Sequence, residues 1–247
     1  MTGVQTCALP ISPSPSSWRE FWNRDNPIYV NDRHKLLHYR LVAADIAALV
    51  PSPLAHVLDH GCGEALSADR IAAHCGRLYL CDAAPIVIEK LKERFTGNAR
   101  IIPLLPDALG EIEPASLDLI IANSLVQYLP EPELVSLLAL WKDKLKPGGT
   151  LIVADVIRRD SGPLPDILAL LHFGWAGGFL MAAMMGLIRT ALSDYRKLRA
   201  VLGLTTYSSG AMETLLNDAG YTYVRRRSKN IGHNQARMCF QAQKRAI

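Results

Sequence analysis

An apolar run that leads into an acid and two glycines constrains this chain more than any other feature. The run Ala55–Leu58 predicts a short buried strand, Asp59 stands near its end, and Gly61 and Gly63 precede a helical pattern that begins near Leu66. A strand, a glycine turn and a helix form the first unit of a nucleotide-binding α/β sheet. The glycines let the backbone approach a ligand, because a Cβ would collide with it. An acid at the strand tip suits an ammonium or a ribose hydroxyl better than a pyrophosphate.

Length and composition favour one large α/β domain. The chain has 247 residues, 49% of them hydrophobic, and a net charge of +4. That content is ample for a core, and so mild a charge does not by itself indicate a nucleic-acid partner. The five cysteines form no CxxC pair and no Cys/His cluster with metal spacing, so we expect no metal and reduced thiols in a cytoplasmic protein. The oligomeric state is left open.

Strand and helix patterns alternate along most of the chain. Five βα repeats with loops of ordinary length imply a parallel sheet. Two further strand patterns close the chain as a hairpin. The strands predicted after the first are Leu78–Asp82, Ala99–Leu104, Ser116–Ala122, Thr150–Val156, Tyr221–Lys229 and Ala236–Ala242.

Two further motifs accompany the glycine turn. Asp82 ends the second strand 23 residues beyond Asp59, near the spacing at which an acid binds ribose hydroxyls. The segment 145–151 reads Leu-Lys-Pro-Gly-Gly-Thr-Leu. With the order Asp-x-Gly-x-Gly at 59–63, these motifs resemble class I S-adenosylmethionine (SAM)-dependent methyltransferases. An NAD-dependent enzyme is the disfavoured alternative, because Leu66 stands where a dinucleotide fingerprint has its third glycine.

The resemblance implies a Rossmann-like three-layer sandwich with a seven-stranded, mostly parallel sheet and an antiparallel last strand. It implies SAM as cofactor, with the glycine turn against the methionine part, Asp82 on the ribose, and Asp107 and the Ala108 N–H on the adenine. Asp82 as a helix N-cap and Asp107 as a solvated loop acid are the plainer alternatives. The full set of expected cofactor-binding residues is Asp59, Gly61, Cys62, Gly63, Asp82, Ala83, Asp107, Ala108, Asn123 and Ser124.

His233 and Tyr128 are the candidate catalytic residues. His233 lies in the turn between the last two strands, which should sit on the ligand edge of the sheet. Tyr128 occupies a position that is often His in the resembling family. A general base is needed only if the acceptor is a neutral oxygen or nitrogen that must lose a proton. A surface turn histidine without a role is the alternative for His233. The helix that precedes the first strand resembles one that often lies over bound SAM in this family, which makes Tyr29, His38 and Tyr39 pocket candidates, with plain packing as the alternative.

An insertion at about 163–203 departs from the plain domain. Its segment Ile167–Ile188 has 22 residues and no formal charge, long enough to span a membrane. A single crossing would separate the last two strands from their sheet, so we expect two short apolar helices that form a lid. A membrane-touching hairpin and a buried helix pair are the alternatives. Nearby basic residues could contact anionic headgroups: Arg189, Arg196, Lys197 and Arg199.

The sequence therefore predicts a SAM-dependent methyltransferase acting on a small, apolar or lipid-like acceptor, as in the ubiquinone- and menaquinone-biosynthesis enzymes it resembles. A catalytically silent SAM-binding or membrane-adaptor protein is the alternative. No nucleic-acid partner is expected. The location is cytoplasmic, with a peripheral contact to the inner face of a membrane through 167–188 as a further hypothesis. Residues 1–11 resemble a translated sequencing adapter, so 1–17 is set apart from a single domain at 18–247.

Overall fold

The computed structural model describes residues 17–23, 29–191 and 203–246. Two predictions lie outside the described residues: the adapter-like start of the chain and the basic helix expected at 194–202, which carries three of the four basic residues proposed to contact headgroups. The division at residue 17 therefore stays a prediction.

A single seven-stranded sheet with the order β3-β2-β1-β4-β5-β7-β6 forms the centre of the fold. All neighbouring pairs are parallel except those of β7, which runs antiparallel to both β5 and β6. The predicted sheet is confirmed, including its antiparallel last strand. The strands are β1 His56–His60, β2 Arg77–Cys81, β3 Ile101–Leu104, β4 Leu117–Asn123, β5 Leu145–Val156, β6 Tyr221–Arg226 and β7 Met238–Lys244.

Helices cover both faces of the sheet, because the inner strands are apolar on both sides. One buried cluster joins α2, α3 and α4 to the sheet, and a second joins α5 and α8 to the opposite face. The helices are α1 Trp18–Trp22, α2 Asp32–Ala47, α3 Ala68–Ala72, α4 Pro85–Arg94, α5 Glu131–Lys144, α6 Leu164–Gly177, α7 Leu180–Ala191 and α8 Ser209–Asp218.

Two strand boundaries differ from the sequence expectation by three residues or more. β5 begins at Leu145 rather than Thr150, because Leu145 pairs with Leu117 of β4 and adds the preceding turn to the strand. β6 ends at Arg226 rather than Lys229, and the longer loop that follows carries His233. Neither difference changes which loops reach the ligand edge.

The sheet order places the expected ligand edge. β1 lies between β2 and β4, so crossover connections leave it in opposite directions, and ligands bind at the carboxyl ends of strands beside such a switch point. The glycine loop after β1, Asp82 after β2, Asn123 at the end of β4 and Asp155 near the end of β5 all reach this edge. The β6–β7 loop joins them, because β6 is effectively parallel to β4 and β5.

The uncharged segment forms two short helices, α6 and α7, as predicted. Gly178 ends α6 with a φ of +70°, a left-handed value that favours glycine. Phe179 and Ala183 are buried, whereas Trp175 and Met181 are each 70% exposed. No helix within the described ranges is long and apolar enough to cross a membrane. The helix pair is therefore apolar on its outer face as well as its inner one.

Candidate active site

The glycine loop is tied to the end of β2 by its own backbone. The N–H groups of Gly61 and Cys62 both donate to the Cys81 carbonyl oxygen, at 2.8 and 3.1 Å. The Gly63 N–H donates to Oδ2 of Asp82 at 3.0 Å. Because these N–H groups already have partners, the loop does not present the row of free donors that a pyrophosphate requires.

Asp82 fixes two turns at once. Its Oδ1 accepts the Ala84 N–H at 2.9 Å while Oδ2 accepts the Gly63 N–H. Burial raises the pKa of its carboxyl, and the hydrogen bonds from Ala84 and Gly63 oppose that rise. A carboxylate oxygen can accept more than one hydrogen bond, so both oxygens keep capacity for a ribose hydroxyl. The capping alternative and the ribose role are therefore compatible.

Tyr39 of α2 contacts the same loop through its hydroxyl group. Its hydroxyl oxygen accepts the Glu64 N–H at 3.0 Å, and a Cβ built on Gly63 would lie 2.8 Å from it. Gly63 also has a φ of +55°. This position thus requires glycine for both space and conformation. Tyr39, for which packing was the plainer alternative, positions the loop.

Asp59 and Cys62 are buried beside the loop. Burial, aided by the nearby Asp82 charge, raises the pKa of Asp59 to about 7. Burial also raises the pKa of the Cys62 thiol well above its usual range, so Cys62 is an inert part of the core rather than a nucleophile. A cationic group beside Asp59 would favour its ionised form.

The expected adenine contacts lie on the 3₁₀ turn Pro106–Glu111 after β3. Asp107 is exposed there. The Ala108 N–H, expected to be free for a ring nitrogen, donates instead to the Leu105 carbonyl at 3.0 Å and to Oδ1 of Asp107 at 3.1 Å. Of the two groups expected to contact adenine, the Asp107 carboxylate is therefore the one that remains accessible to a ligand.

A cavity of about 100 Å³ lies on the same edge, next to the cofactor-side residues. Its walls come from α2, the ends of β4 and β5, and the β6–β7 loop. His233 thus lies at the predicted ligand edge together with two of the expected cofactor-side residues. The cavity is lined by His38, Asn123, Ser124, Asp155, Ile231, Gly232, His233, Asn234 and Arg237.

Four buried polar atoms of this lining have no hydrogen-bond partner among the described residues. We call them the four unpartnered atoms: Nδ1 of His38, Oδ1 of Asn123, Nδ1 of His233 and Nη1 of Arg237. Buried polar groups in folded proteins are almost always hydrogen-bonded, and exceptions often mark function. Their concentration around one cavity makes it a candidate acceptor pocket.

Ion pairs and hydrogen bonds fix the cavity walls. Arg237 donates to both oxygens of Asp166 on α6, at 2.9 and 2.6 Å. Ser124 Oγ donates to Oδ2 of Asp155 at 2.7 Å, and the Asp155 N–H donates to the Asn230 side-chain oxygen at 2.9 Å. The φ values of Ser124 and Asp155 are +55° and +57°. Such strain in residues other than glycine persists where the surroundings enforce it, often at functional sites.

His233 belongs to an aromatic cluster beneath the helix pair. Its ring stacks on Phe173 of α6 with centroids 4.5 Å apart, and it lies 6.0 and 5.8 Å from the rings of His34 and His38. Burial lowers the pKa of His233 and His34 to about 4 and that of His38 to about 3. All three imidazoles are therefore neutral at physiological pH. Within the described part of the chain, no group of His, Cys, Asp or Glu is arranged to hold a metal.

Tyr128 lies elsewhere. It packs against Trp18 and Trp22 of α1, with centroids 4.9 and 5.5 Å away, and it is not among the described residues that line the cavity. Its catalytic role stays a prediction, less supported than that of His233.

Sequence reasoning missed several walls of the cavity. Asp155, Asp166, Asn230 and Arg237 are not among the candidates from sequence. Residues 221–247 hold seven Lys/Arg and no acids, a pattern that predicts a solvated face, with attraction to an anionic membrane surface as the alternative. The solvated-face prediction is wrong for Arg237, which is largely buried in its ion pair with Asp166. The only local signal was the acid near the end of β5, since the contacts join residues distant in sequence.

A family model described as a methyltransferase domain matches residues 57–149, from β1 into the glycine pair of β5. Together with the sheet order and the loop geometry, this match shows that residues 57–149 are similar to the class I SAM-dependent methyltransferases, as the motifs predicted. The same similarity supports SAM as the cofactor.

Two curated relatives show the range of similar proteins. A ubiquinone biosynthesis O-methyltransferase of Xanthomonas campestris pv. campestris is 26% identical over 141 residues, covering 56% of this chain and 56% of that protein. A carboxy-S-adenosyl-L-methionine synthase of Trichlorobacter lovleyi is 30% identical over 129 residues, covering 48% and 53%. The chain spans about half the length of the curated relatives it matches.

A solved structure extends the similarity to nearly the whole fold. The N-methyltransferase NodS from Bradyrhizobium japonicum WM9, in complex with S-adenosyl-L-homocysteine, matches with a TM-score of 0.54 and 18% identity, covering 90% of this chain and 92% of that one. At this identity the likeness concerns the fold alone.

Proposed function

We propose that this protein transfers the methyl group of SAM to a small-molecule acceptor. The observation that carries the proposal is the juxtaposition, on one sheet edge, of the glycine loop with its two acids and of the cavity with the four unpartnered atoms. The methionine part would lie along Gly61–Gly63 with its ammonium near Asp59. The ribose would meet Asp82, and the adenine would meet Asp107.

Methyl transfer from SAM requires few catalytic groups from the protein itself. A lone pair of the acceptor forms a bond to the methyl carbon while the C–S bond pair moves to sulfur, which leaves S-adenosylhomocysteine. The protein contributes by aligning the two reactants, since the sulfonium is already activated. A base is required only when the attacking group must also lose a proton.

For the acceptor we propose a molecule with an apolar body. The helix pair α6–α7 lies beside the cavity, because Asp166 and Phe173 of α6 contact Arg237 and His233. Its outer surface carries exposed apolar side chains, a feature that usually marks a binding surface. They are Leu164, Leu168, Trp175, Met181, Met184, Met185 and Ile188.

We also propose that this outer surface rests on a membrane that supplies the acceptor. Flotation with anionic vesicles tests it, using Trp175→Glu combined with Met181→Asp; both residues are 70% exposed, so the variant should fold. The expected result is flotation of the wild type and its loss in the variant. Leu54→Asp is the matched control, because Leu54 is 83% exposed but precedes β1 at the opposite edge of the sheet. A wild type that never floats, or a control that loses flotation equally, contradicts the membrane proposal.

The direct test of activity is a search for the methylated product. The protein is incubated with methyl-deuterated SAM and either an apolar lipid extract or a polar metabolite extract, and products are found by mass spectrometry. We expect a deuterated product from the lipid extract. A product from the polar extract alone overturns the apolar acceptor but keeps the transferase. SAM binding without any product would favour the catalytically silent alternative.

A further inference from the structure

The four unpartnered atoms constrain the chemistry of the group that enters the cavity. Oδ1 of Asn123 can only accept a hydrogen bond, and Nη1 of Arg237 can only donate one. The neutral imidazoles of His38 and His233 can do either, according to their tautomer. A ligand group that satisfies this lining must therefore both donate and accept.

The charges around the cavity exclude several kinds of ligand group. The guanidinium of Arg237 is paired with Asp166, and Asp155 also lines the cavity. An ammonium could not accept from Nη1 of Arg237 and would be repelled by it. A carboxylate or phosphate could not donate to Asn123 and would face Asp155. A ketone or ether can only accept.

We propose that the cavity binds a neutral hydroxyl of the acceptor, so that the protein methylates oxygen. The inference rests on the proposed function and deepens it by naming the reacting group. A dry cavity of about 150 Å³ holds benzene, so one of about 100 Å³ admits the hydroxylated edge of a ring and leaves the rest of the acceptor outside. The proposed acceptor therefore has a polar reacting end inside the cavity and an apolar body outside it.

The geometry also assigns a destination for the proton. The hydroxyl oxygen bonds to the methyl carbon, the C–S bond pair moves to sulfur, and the hydroxyl proton passes to Nδ1 of His233. The products are a methyl ether, S-adenosylhomocysteine and an imidazolium that returns its proton to solvent. Asp166 lies close enough to His233 to favour the imidazolium, and the stacked Phe173 holds the ring in place.

The test uses the 247-residue chain labelled with ¹⁵N-histidine and saturated with S-adenosylhomocysteine. Catechol is the probe, 1,2-dimethoxybenzene is the ether control and aniline is the nitrogen control. We expect catechol to shift the Nδ1 signals of His38 and His233, the ether to shift neither, and aniline to shift them less. Because this readout is spectroscopic, it does not depend on turnover.

Matched variants assign the shifts to the cavity. His38→Phe keeps the aromatic packing and Arg237→Lys keeps a charge for Asp166, while each removes one unpartnered atom. Both should weaken catechol binding at least tenfold and leave S-adenosylhomocysteine affinity within twofold. His172→Phe changes an exposed histidine of α6 and should alter neither affinity.

The outcomes separate the two proposals. If S-adenosylhomocysteine does not bind the wild type, the proposed function fails. If it binds but catechol moves neither signal, or the ether moves both equally, the hydroxyl site is overturned. Equal or larger shifts with aniline overturn the choice of oxygen. In a further outcome, S-adenosylhomocysteine alone shifts the Nδ1 signals of His38 and His233 fully, with no further shift on adding catechol. That result would mean that the cofactor, and not the acceptor, occupies the cavity.

Discussion

At the glycine loop the backbone donors already have partners within the protein, whereas the cavity beside β5 is lined by polar atoms that do not. Gly61, Cys62 and Gly63 all donate to the end of β2. Asn123, His233 and Arg237 each hold a buried atom without a partner among the described residues. The glycine loop is therefore fixed by contacts within the protein, whereas the cavity lining has hydrogen-bonding capacity left for a ligand. On the proposed function, this unused capacity is what distinguishes the acceptor side from the cofactor side.

The largest effect should come from the acceptor side. His233→Ala should lower the turnover number by roughly 10²–10⁴-fold if the imidazole accepts the proton, whereas Tyr128→Phe should change it little. The measurement is the rate of S-adenosylhomocysteine formation on the acceptor found by mass spectrometry. His172→Phe controls for loss of a histidine. If His233→Ala and Tyr128→Phe both keep full turnover, neither residue transfers a proton.

Asp59 makes the cofactor side sensitive to pH. Its pKa rises from 3.8 in the unfolded chain to about 7 in the folded one, so folding is penalised as pH increases through that interval. The penalty is absent below pH 4 and complete above about pH 7, on the order of 4 kcal/mol. Because part of the penalty is already present at pH 5, denaturant unfolding without cofactor should show the wild type to be roughly 2.5 kcal/mol less stable at pH 8 than at pH 5. The difference should be smaller in Asp59→Asn.

The cofactor should remove part of that penalty. An ammonium beside Asp59 stabilises the ionised carboxylate, so SAM should raise the stability of the wild type more at pH 8 than at pH 5. Asp59→Asn should lack this difference. Equal pH profiles for the wild type and the variant would contradict the buried-acid account.

The smallest effect concerns the fit of the loop beneath Tyr39. Gly63→Ala should cost about 1–2 kcal/mol of stability from the left-handed backbone alone, and more from the contact with the Tyr39 hydroxyl. Tyr39→Phe removes that oxygen, so the double variant should lose less than the sum of the two single variants. Thermal unfolding of all three measures it. Strict additivity would mean that the two residues do not touch.

The fold was predictable, and so was the placement of the proposed cofactor-side residues at one sheet edge, because their signals are local. Apolar runs, the glycine turn and strand-end acids each lie within a few residues of sequence, and strand alternation determined the parallel sheet. The position of His233 was predictable from topology. The sixth strand runs in the same direction as the inner strands and the seventh runs back, so the loop between them must lie at the ligand edge.

The acceptor side was not predictable, because its contacts join distant residues. Arg237 meets Asp166 across 71 positions, and Asp155 meets Asn230 across 75. No periodicity links such pairs, so a buried arginine looks like one more member of a basic run. The sequence pattern also did not reveal that the Ala108 N–H is already hydrogen-bonded, because a local 3₁₀ turn uses that donor.

Binding of SAM through Asp82 tests the central claim most directly. The measurement is calorimetric titration of SAM into the wild type and into Asp82→Ala, with circular dichroism to confirm that both are folded. Loss of a charged hydrogen-bond acceptor should cost about 1.5–3 kcal/mol, a decrease in affinity of roughly 10–150-fold. Wild-type binding that weakens by this amount supports the account. No binding to the wild type, or unchanged affinity in the folded variant, would contradict it.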